Sequence, residues 1–501
     1  MRSWRALVLV LALALMCGCA APSNKPPSAV APAATAGETK LTPQEIDMHD
    51  GRATAFLQQK DYRKALDEYQ AVLRSDPDNP SRLYNMACAH SLLNEKEQAV
   101  ACLKKAVAAG WGDFDTMQRD TDLDAIRDTA GYRELLEKRA DIMRKLPEKR
   151  LKLALQSLAE KGVDTSQYKT EKDPIRPIIY LYNTRIPAAK FAATRKKLEG
   201  YADYQWKHLF SNPPTMPFCI VLLDMEDTTK MFRGTNMVGV FIPGTNSLLC
   251  GDVLWDAQDV ILHEFTHLLH MNDAGALGYE PPIWFAEGLA TLYGSSAQAG
   301  DSFRPRFNQS LTMLQNAMRA GQVVSWTALF RESPQAFMAN DAINYPYVQY
   351  VFFYIHERGL LKKFYAEYSR RCPGFHDDSA LAVQQAIESV FGKPMNAVER
   401  DWREWVLKQQ LPPLPYLGVR VEMLSGMVTV TAVAPKAPAE KAGIRPGDQI
   451  RAIDGTEVAN IPGFAEILQS KKIGDTIKLE IVRDARKQIL KLPLEKRPET
   501  H

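Results

Sequence analysis

The stretch His263-Glu264-Phe265-Thr266-His267, answered by Trp284-Phe285-Ala286-Glu287-Gly288-Leu289-Ala290, decides how the rest of this chain is read. Residues 253–262 carry apolar side chains at helical intervals and contain neither Pro nor Gly, which predicts that the first motif lies inside a helix. Residues four apart share one helix face, so His263 and His267 offer two imidazoles to one Zn²⁺. Glu264, one step round the cylinder, is left to act on water, and that division of labour is the pattern of metal-assisted hydrolysis.

A catalytic zinc takes three protein ligands and keeps one position open. Glu287 is the expected third ligand, twenty positions beyond His267 on an amphipathic segment that starts after Pro281-Pro282. Glu280, just before the two prolines, and Asp273 are rivals ranked below it. His270 falls near the His267 face but, with three ligands supplied, reads as a packing or ligand-orienting residue. The spacing and the W-F-x-E-G-L-A wording resemble the gluzincin clan of thermolysin-like peptidases. The resemblance implies an α+β zincin-like domain, peptide-bond hydrolysis, His263, His267 and Glu287 on the metal, and Glu264 as general base. The chain departs from thermolysin at Thr291, where that enzyme has an acid four residues after its ligand glutamate.

A length of 501 residues predicts about three domains. At the N-terminus Arg2 and Arg5 precede an apolar run from Ala6 to Met16 and then Cys17-Gly18-Cys19. That run is too short for a bilayer core needing about 20 residues, and reads as a signal peptide over 1–18. Leu-Met-Cys-Gly-Cys resembles a bacterial lipobox, which implies lipidation of Cys19, with Cys17 the alternative. The expected location is the bacterial cell envelope, anchored by lipid and facing the periplasm or exterior. Removing 1–18 lowers the formal charge from +3 to +1, which leaves no basic domain for nucleic acid. Beyond Cys19 stand Cys88, Cys102, Cys219, Cys250 and Cys372. This odd, scattered set is no disulfide framework, although Cys219 and Cys250 fall on expected strands of one sheet.

Residues 19–40 are rich in Pro and Ala and predict a flexible tether. Over 41–142, Ala53, Phe56, Ala65, Tyr69 and Val72 recur thirty-four residues later as Ala87, His90, Ala99, Leu103 and Ala106. That period resembles tetratricopeptide repeats, with Phe114 to Arg139 as a helical cap and a protein partner implied. Residues 143–175 predict a connecting helix over 146–161 and then a polar linker. In 176–411, strands are expected at 178–182, 218–223, 237–242 and 247–250, with 237–242 as the edge that would pair with substrate backbone. Past Glu287 the chain reads as helical to Gln410. Asn344-Tyr345-Pro346-Tyr347 opens a strongly apolar helix there, and by the same resemblance Tyr347 is the expected oxyanion donor, with Tyr345 as runner-up.

From Tyr416 the texture changes to short strands. Tyr416-Leu417-Gly418-Val419, Ala439-Glu440-Lys441-Ala442-Gly443-Ile444 and Pro446-Gly447-Asp448-Gln449-Ile450 resemble a bacterial PDZ domain, placed at 412–498. The resemblance implies that the amides of Leu417, Gly418 and Val419 hold a peptide's C-terminal carboxylate. The whole therefore reads as a membrane-anchored zinc metallopeptidase acting on envelope proteins or peptides. A non-catalytic envelope scaffold that binds protein partners is the rival from another class.

Overall fold

The computed structural model describes residues 41–211, 214, 217–233, 239–242, 246–251, 258–277, 279, 281–372, 379–411, 413, 415–424, 426–458, 461–469 and 471–496. The expected signal peptide at 1–18, Cys19, the tether at 19–40 and Glu280 lie outside them. Among the described residues no helix is long and apolar enough to cross a membrane.

Two helical hairpins open the fold: α1 (Pro43–Gln58) with α2 (Tyr62–Leu73), and α3 (Pro80–Leu92) with α4 (Lys96–Ala108). Ala53, Ala65, Ala87 and Ala99 are fully buried, so small side chains let paired helices approach closely. Two hairpins bury little surface by themselves. Helix α5 (Phe114–Arg119), a 3₁₀ turn at Thr121–Ile126 and α6 (Ala130–Glu137) supply the rest. Their Phe114, Met117, Leu123, Ile126, Tyr132 and Leu135 share one core with Tyr84, Leu103 and Trp111.

Where the sequence predicts a connecting helix and a linker, the long helix α7 (Arg139–Glu160) is instead part of the central domain. Its Ala154 and Leu158 pack with Leu181, Cys219, Val221 and Leu249 on one face of a sheet. The supposed linker also contains strand β1 (Tyr168–Lys172), paired antiparallel with β2 (Ile178–Asn183). The domain therefore begins before residue 176. Strand β1 has no fully buried position, as suits a charged edge strand, and that composition imitates coil.

Beyond β2 come α8 (Ala188–His208), β3 (Phe218–Leu222), α9 (Met225–Met231), β4 (Gly239–Ile242) and β5 (Ser247–Cys250). Strand order is β1-β2-β3-β5-β4. The β2-β3 and β3-β5 pairs are parallel, and β4 runs antiparallel to β5 at the edge. Cys219 belongs to the cluster under α7 and Cys250 to the cluster on the opposite face, and both thiols are free.

The opposite face is covered by α8 and by α10 (Gln258–Leu277), against which α11 (Ile283–Gly294) packs. The expectation that the chain after Glu287 is helical to Gln410 is corrected by a hairpin, β6 (Ser296–Ala299) with β7 (Ser302–Pro305), turning at Gly300 with φ of 60°. Neither strand carries a β-branched residue, so that signature of strand is missing. Helices α12 (Ser310–Arg319), α13 (Trp326–Leu329), α14 (Pro334–Ala339), α15 (Asp341–Glu357), α16 (Leu361–Arg371), α17 (Ser379–Phe391) and α18 (Met395–Lys408) complete the domain.

The C-terminal unit is a β-sheet ordered β14 (Arg486–Pro493), β13 (Thr476–Arg483), β11 (Gln449–Ile453), β10 (Met427–Val433), β9 (Val419–Leu424). Short β12 (Thr456–Glu457) adds to β11, and β8 (Pro415–Tyr416) pairs with β15 (Glu495–Lys496). Helices α19 (Pro438–Lys441) and α20 (Ile461–Gln469) flank the sheet, with Leu417, Val430, Phe464 and Leu479 in its core.

Candidate metal centre

Leu262, Phe265, Leu268 and Leu269 bury one face of α10, which leaves His263 and His267 on another. Helix α11 is buried along nearly its whole length, and Gly288 lets it approach α15. A Cβ at that position would lie 2.3 Å from the Phe352 ring. The close approach holds Glu287 over the two imidazoles.

His263 Nε2 and His267 Nε2 are 3.1 Å apart. Glu287 Oε2 lies 3.4 Å from the first and 3.5 Å from the second. Glu287 is fully buried, and neither of its oxygens accepts a hydrogen bond of good geometry among the described residues. Burial pushes the Glu287 carboxyl up, but His267 and His263 outweigh it and hold the group down to about 2. Burial likewise pushes His267 down, and the Glu287 carboxylate more than reverses this, leaving the imidazole raised.

Two ligand atoms at about 2.0–2.2 Å from one tetrahedral zinc stand roughly 3.3–3.5 Å apart. The observed triangle has nearly that size, so these three residues fit a zinc ion. A fully buried carboxylate set against two imidazoles agrees with that fit.

Glu264 Oε2 accepts from the backbone N–H of Phe241, 3.2 Å away in β4. The carboxylate next to the first motif imidazole is thus tied to the edge strand, a contact with no sequence signal.

Tyr347 does not reach the centre, and the expectation that it donates to an oxyanion is corrected. Its hydroxyl donates to Val324 O at 2.7 Å, and its ring stacks on Trp402 with centroids 5.1 Å apart. Two steps along a helix turn a side chain about 200°, so Tyr345 takes the opposite side of α15. Burial, then the Glu287 and Glu264 carboxylates, push the Tyr345 phenol well up. It therefore stays protonated beside the Glu287 and Glu264 carboxylates.

The other candidates are engaged elsewhere. Asp273 accepts from Ser211 N at 3.0 Å and from Tyr365 OH at 2.7 Å. His270 Nε2 meets Tyr279 OH at 3.1 Å, and burial drives this imidazole well below its ordinary value. Thr291 Oγ1 donates to Glu287 O at 2.5 Å, a backbone bond within α11 that orients no ligand imidazole. A second cluster, Cys88, Asp120 and Asp122 in the repeats, is satisfied internally. Asp120 Oδ2 takes Tyr84 OH at 2.8 Å and Cys88 Sγ at 3.4 Å, and its Oδ1 takes Asp122 N at 3.1 Å.

In the C-terminal unit Gly418 has φ of 82°, and a Cβ there would lie 2.1 Å from Ala437 Cβ. The Leu417 and Gly418 carbonyls accept from Ala439 N and Ala434 N at 2.9 and 2.8 Å, which fixes the loop that leads into edge strand β9.

Comparison with known proteins bears on the two ends of the chain. Residues 56–113 match the tetratricopeptide repeat family and residues 415–494 the PDZ domain family. The chain therefore carries a repeat region and a PDZ domain. A chloroplastic protein of Arabidopsis thaliana is 31% identical over 98 residues, covering 19% of this chain and 28% of that protein. The "Serine protease Do-like HtrA" of Lactobacillus helveticus is 30% identical over 122 residues, covering 21% of this chain and 29% of that protein. The chain thus spans less than a third of the length of these curated relatives. Among solved structures, the HtrA3 PDZ domain bound to a phage-derived ligand (FGRWV) shares 21% identity at a TM-score of 0.15, covering 16% of this chain and 85% of that one. The HtrA-type protease AlgW with decapeptide shares 20% identity at a TM-score of 0.18, covering 21% of this chain and 37% of that one.

Proposed function

We propose that the chain is a zinc-dependent peptidase of gluzincin type that hydrolyses peptide bonds in envelope proteins or peptides. In this reading Cys19 anchors it to a membrane by lipid, and the repeats and the PDZ domain bring protein or peptide to it. The observation that carries the proposal is Glu287, a fully buried carboxylate set against two imidazole nitrogens at 3.4 and 3.5 Å.

His263, His267 and Glu287 would hold the zinc, which when bound supplies a Lewis acid for a scissile carbonyl and for water. Glu264 accepts the proton of the attacking water at a carboxylate oxygen and returns it to the leaving amine. Tyr345, kept protonated, donates a hydrogen bond to the oxygen on which negative charge develops. Edge strand β4 offers the substrate backbone a partner for strand addition, and a PDZ groove takes a peptide C-terminus in the same way.

The test uses the purified lipid-free chain and its Glu264→Gln variant. One zinc per chain in both, with hydrolysis of a casein or peptide-library substrate in the first and roughly 10²- to 10⁴-fold less in the second, is the expected result. Equal turnover in the two would remove Glu264 from the chemistry, and no hydrolysis by either would transfer the chain to the scaffold reading.

A further inference from the structure

The repeat region meets the central domain at the end of the helix that carries the imidazoles. Arg119, the last residue of α5, donates from Nη2 to the carbonyl oxygen of Gly275 in the last turn of α10. The final carbonyls of a helix have no intrahelical donor, and that end carries partial negative charge. Helix α10 has no basic residue in its own last turn. A guanidinium from 156 positions away fills that place.

Two further contacts show that the approach is built. A Cβ on Gly275 would lie 4.0 Å from Asp113 Oδ2, and one on Gly110 would lie 3.2 Å from Leu153 Cδ1 of α7. The segment 110–113 is thus wedged between α7 and the end of α10. Arg150 of α7, only 6% exposed, lies in the field of the same Asp113. Helix α10 runs unbroken from Gln258 to Leu277 without proline, so a shift or rotation at Gly275 is carried to His267 and His263.

We propose that the repeat region is a positioning element of the metal centre, acting through Arg119 on the C-terminal end of α10 and so on how His263 and His267 face Glu287. The proposal rests on the metal reading above. Arg119 touches no substrate, and its effect is exerted only through the helix.

The experiment compares the lipid-free full chain with Arg119→Ala, Arg119→Lys and Gly275→Glu, the last setting a carboxylate against Asp113. Four quantities are read: amide hydrogen exchange over 268–277 in metal-free protein, zinc retention against a competing chelator, and kcat and KM on one peptide. In Arg119→Ala and Gly275→Glu, exchange is expected to quicken, and zinc retention and kcat to fall roughly three- to tenfold with KM unchanged. Arg119→Lys, which keeps a donor and a charge, should recover most of each loss. Unchanged exchange and zinc retention in Arg119→Ala would overturn the proposal, and so would a collapse of the whole fold, since Arg119 would then serve folding alone. If the parent chain binds no zinc, the metal reading fails by itself, and the exchange measurement still decides whether Arg119 holds the helix end.

Discussion

The Glu264 carboxylate and the Phe241 backbone N–H are joined across 3.2 Å, linking the expected base to the edge strand of the sheet. Position as well as proton capacity is thereby set. Glu264→Asp keeps the carboxylate but withdraws it by one bond, about 1.5 Å. Since misplacement by about 1 Å costs roughly 10²-fold, kcat should fall by that order while zinc content and melting temperature hold. A Glu264→Asp enzyme within a few-fold of the parent would show that reach is not critical.

Tyr345 and Tyr347 make opposite predictions. Tyr345→Phe should leave the melting temperature and zinc content alone and lower kcat by roughly 10²- to 10³-fold, the cost of one oxyanion donor. Tyr347→Phe removes the donor to Val324 O, so it should cost about 1–2 kcal/mol of stability and leave kcat nearly unchanged. Denaturant unfolding beside steady-state kinetics on both variants checks this, and the reverse pattern would return the role to Tyr347.

How much of this is readable from residues alone depends on distance along the chain. That His263, His267 and Glu287 come together is legible because His, Glu and His at fixed helical spacing are chemically rare, and Glu287 follows within the next helix. Which tyrosine faces the cluster is not legible. Sequence places both candidates on one helix but does not give the helix's phase, and core packing against Trp402 claims Tyr347. Strand β1 is lost because an edge strand needs no apolar face, and Tyr168-Lys169-Thr170-Glu171-Lys172 reads as polar coil. Arg119 to Gly275 and Phe241 to Glu264 carry no motif at all, since each joins a side chain to a backbone group whose chemistry is the same at every residue.

Metal binding should be coupled to protons. In the metal-free chain His267 is raised by Glu287, so this pair's contribution to stability is present below the ordinary imidazole value and is lost as pH rises through the folded value. Glu287, depressed to about 2 from 4.5, contributes above its ordinary value and loses that contribution as pH falls toward the folded one. The pair therefore stabilises the metal-free fold most between about pH 4.5 and 6.5. Zinc requires neutral imidazole, so binding at or below the ordinary imidazole value of about 6.5 should release a proton from the raised His267, and less as pH rises. Calorimetric titration in two buffers of different ionisation enthalpy measures the release. Heats independent of buffer at that pH would contradict the charged pair.

The PDZ domain should be separable from the chemistry. Gly418 sits at positive φ with Ala437 against it, so Gly418→Val must displace the loop of Leu417, Gly418 and Val419. Such a loop should no longer hold a carboxylate, whereas the rest of the sheet and its core through Val430 and Leu479 remain. On an array of peptides with free C-termini, the parent chain should bind a subset and lose it when the same peptides are amidated, because the amides of the loop recognise the charged terminus. Gly418→Val should bind neither form. Cleavage of short peptides should be unchanged in Gly418→Val and in a chain ending at residue 411, since the PDZ unit contributes no ligand to the centre. Substrates whose C-termini the parent captures should be cleaved more slowly in both variants, by the lost effective concentration. Equal binding of amidated and free peptides would mean that the loop holds no carboxylate.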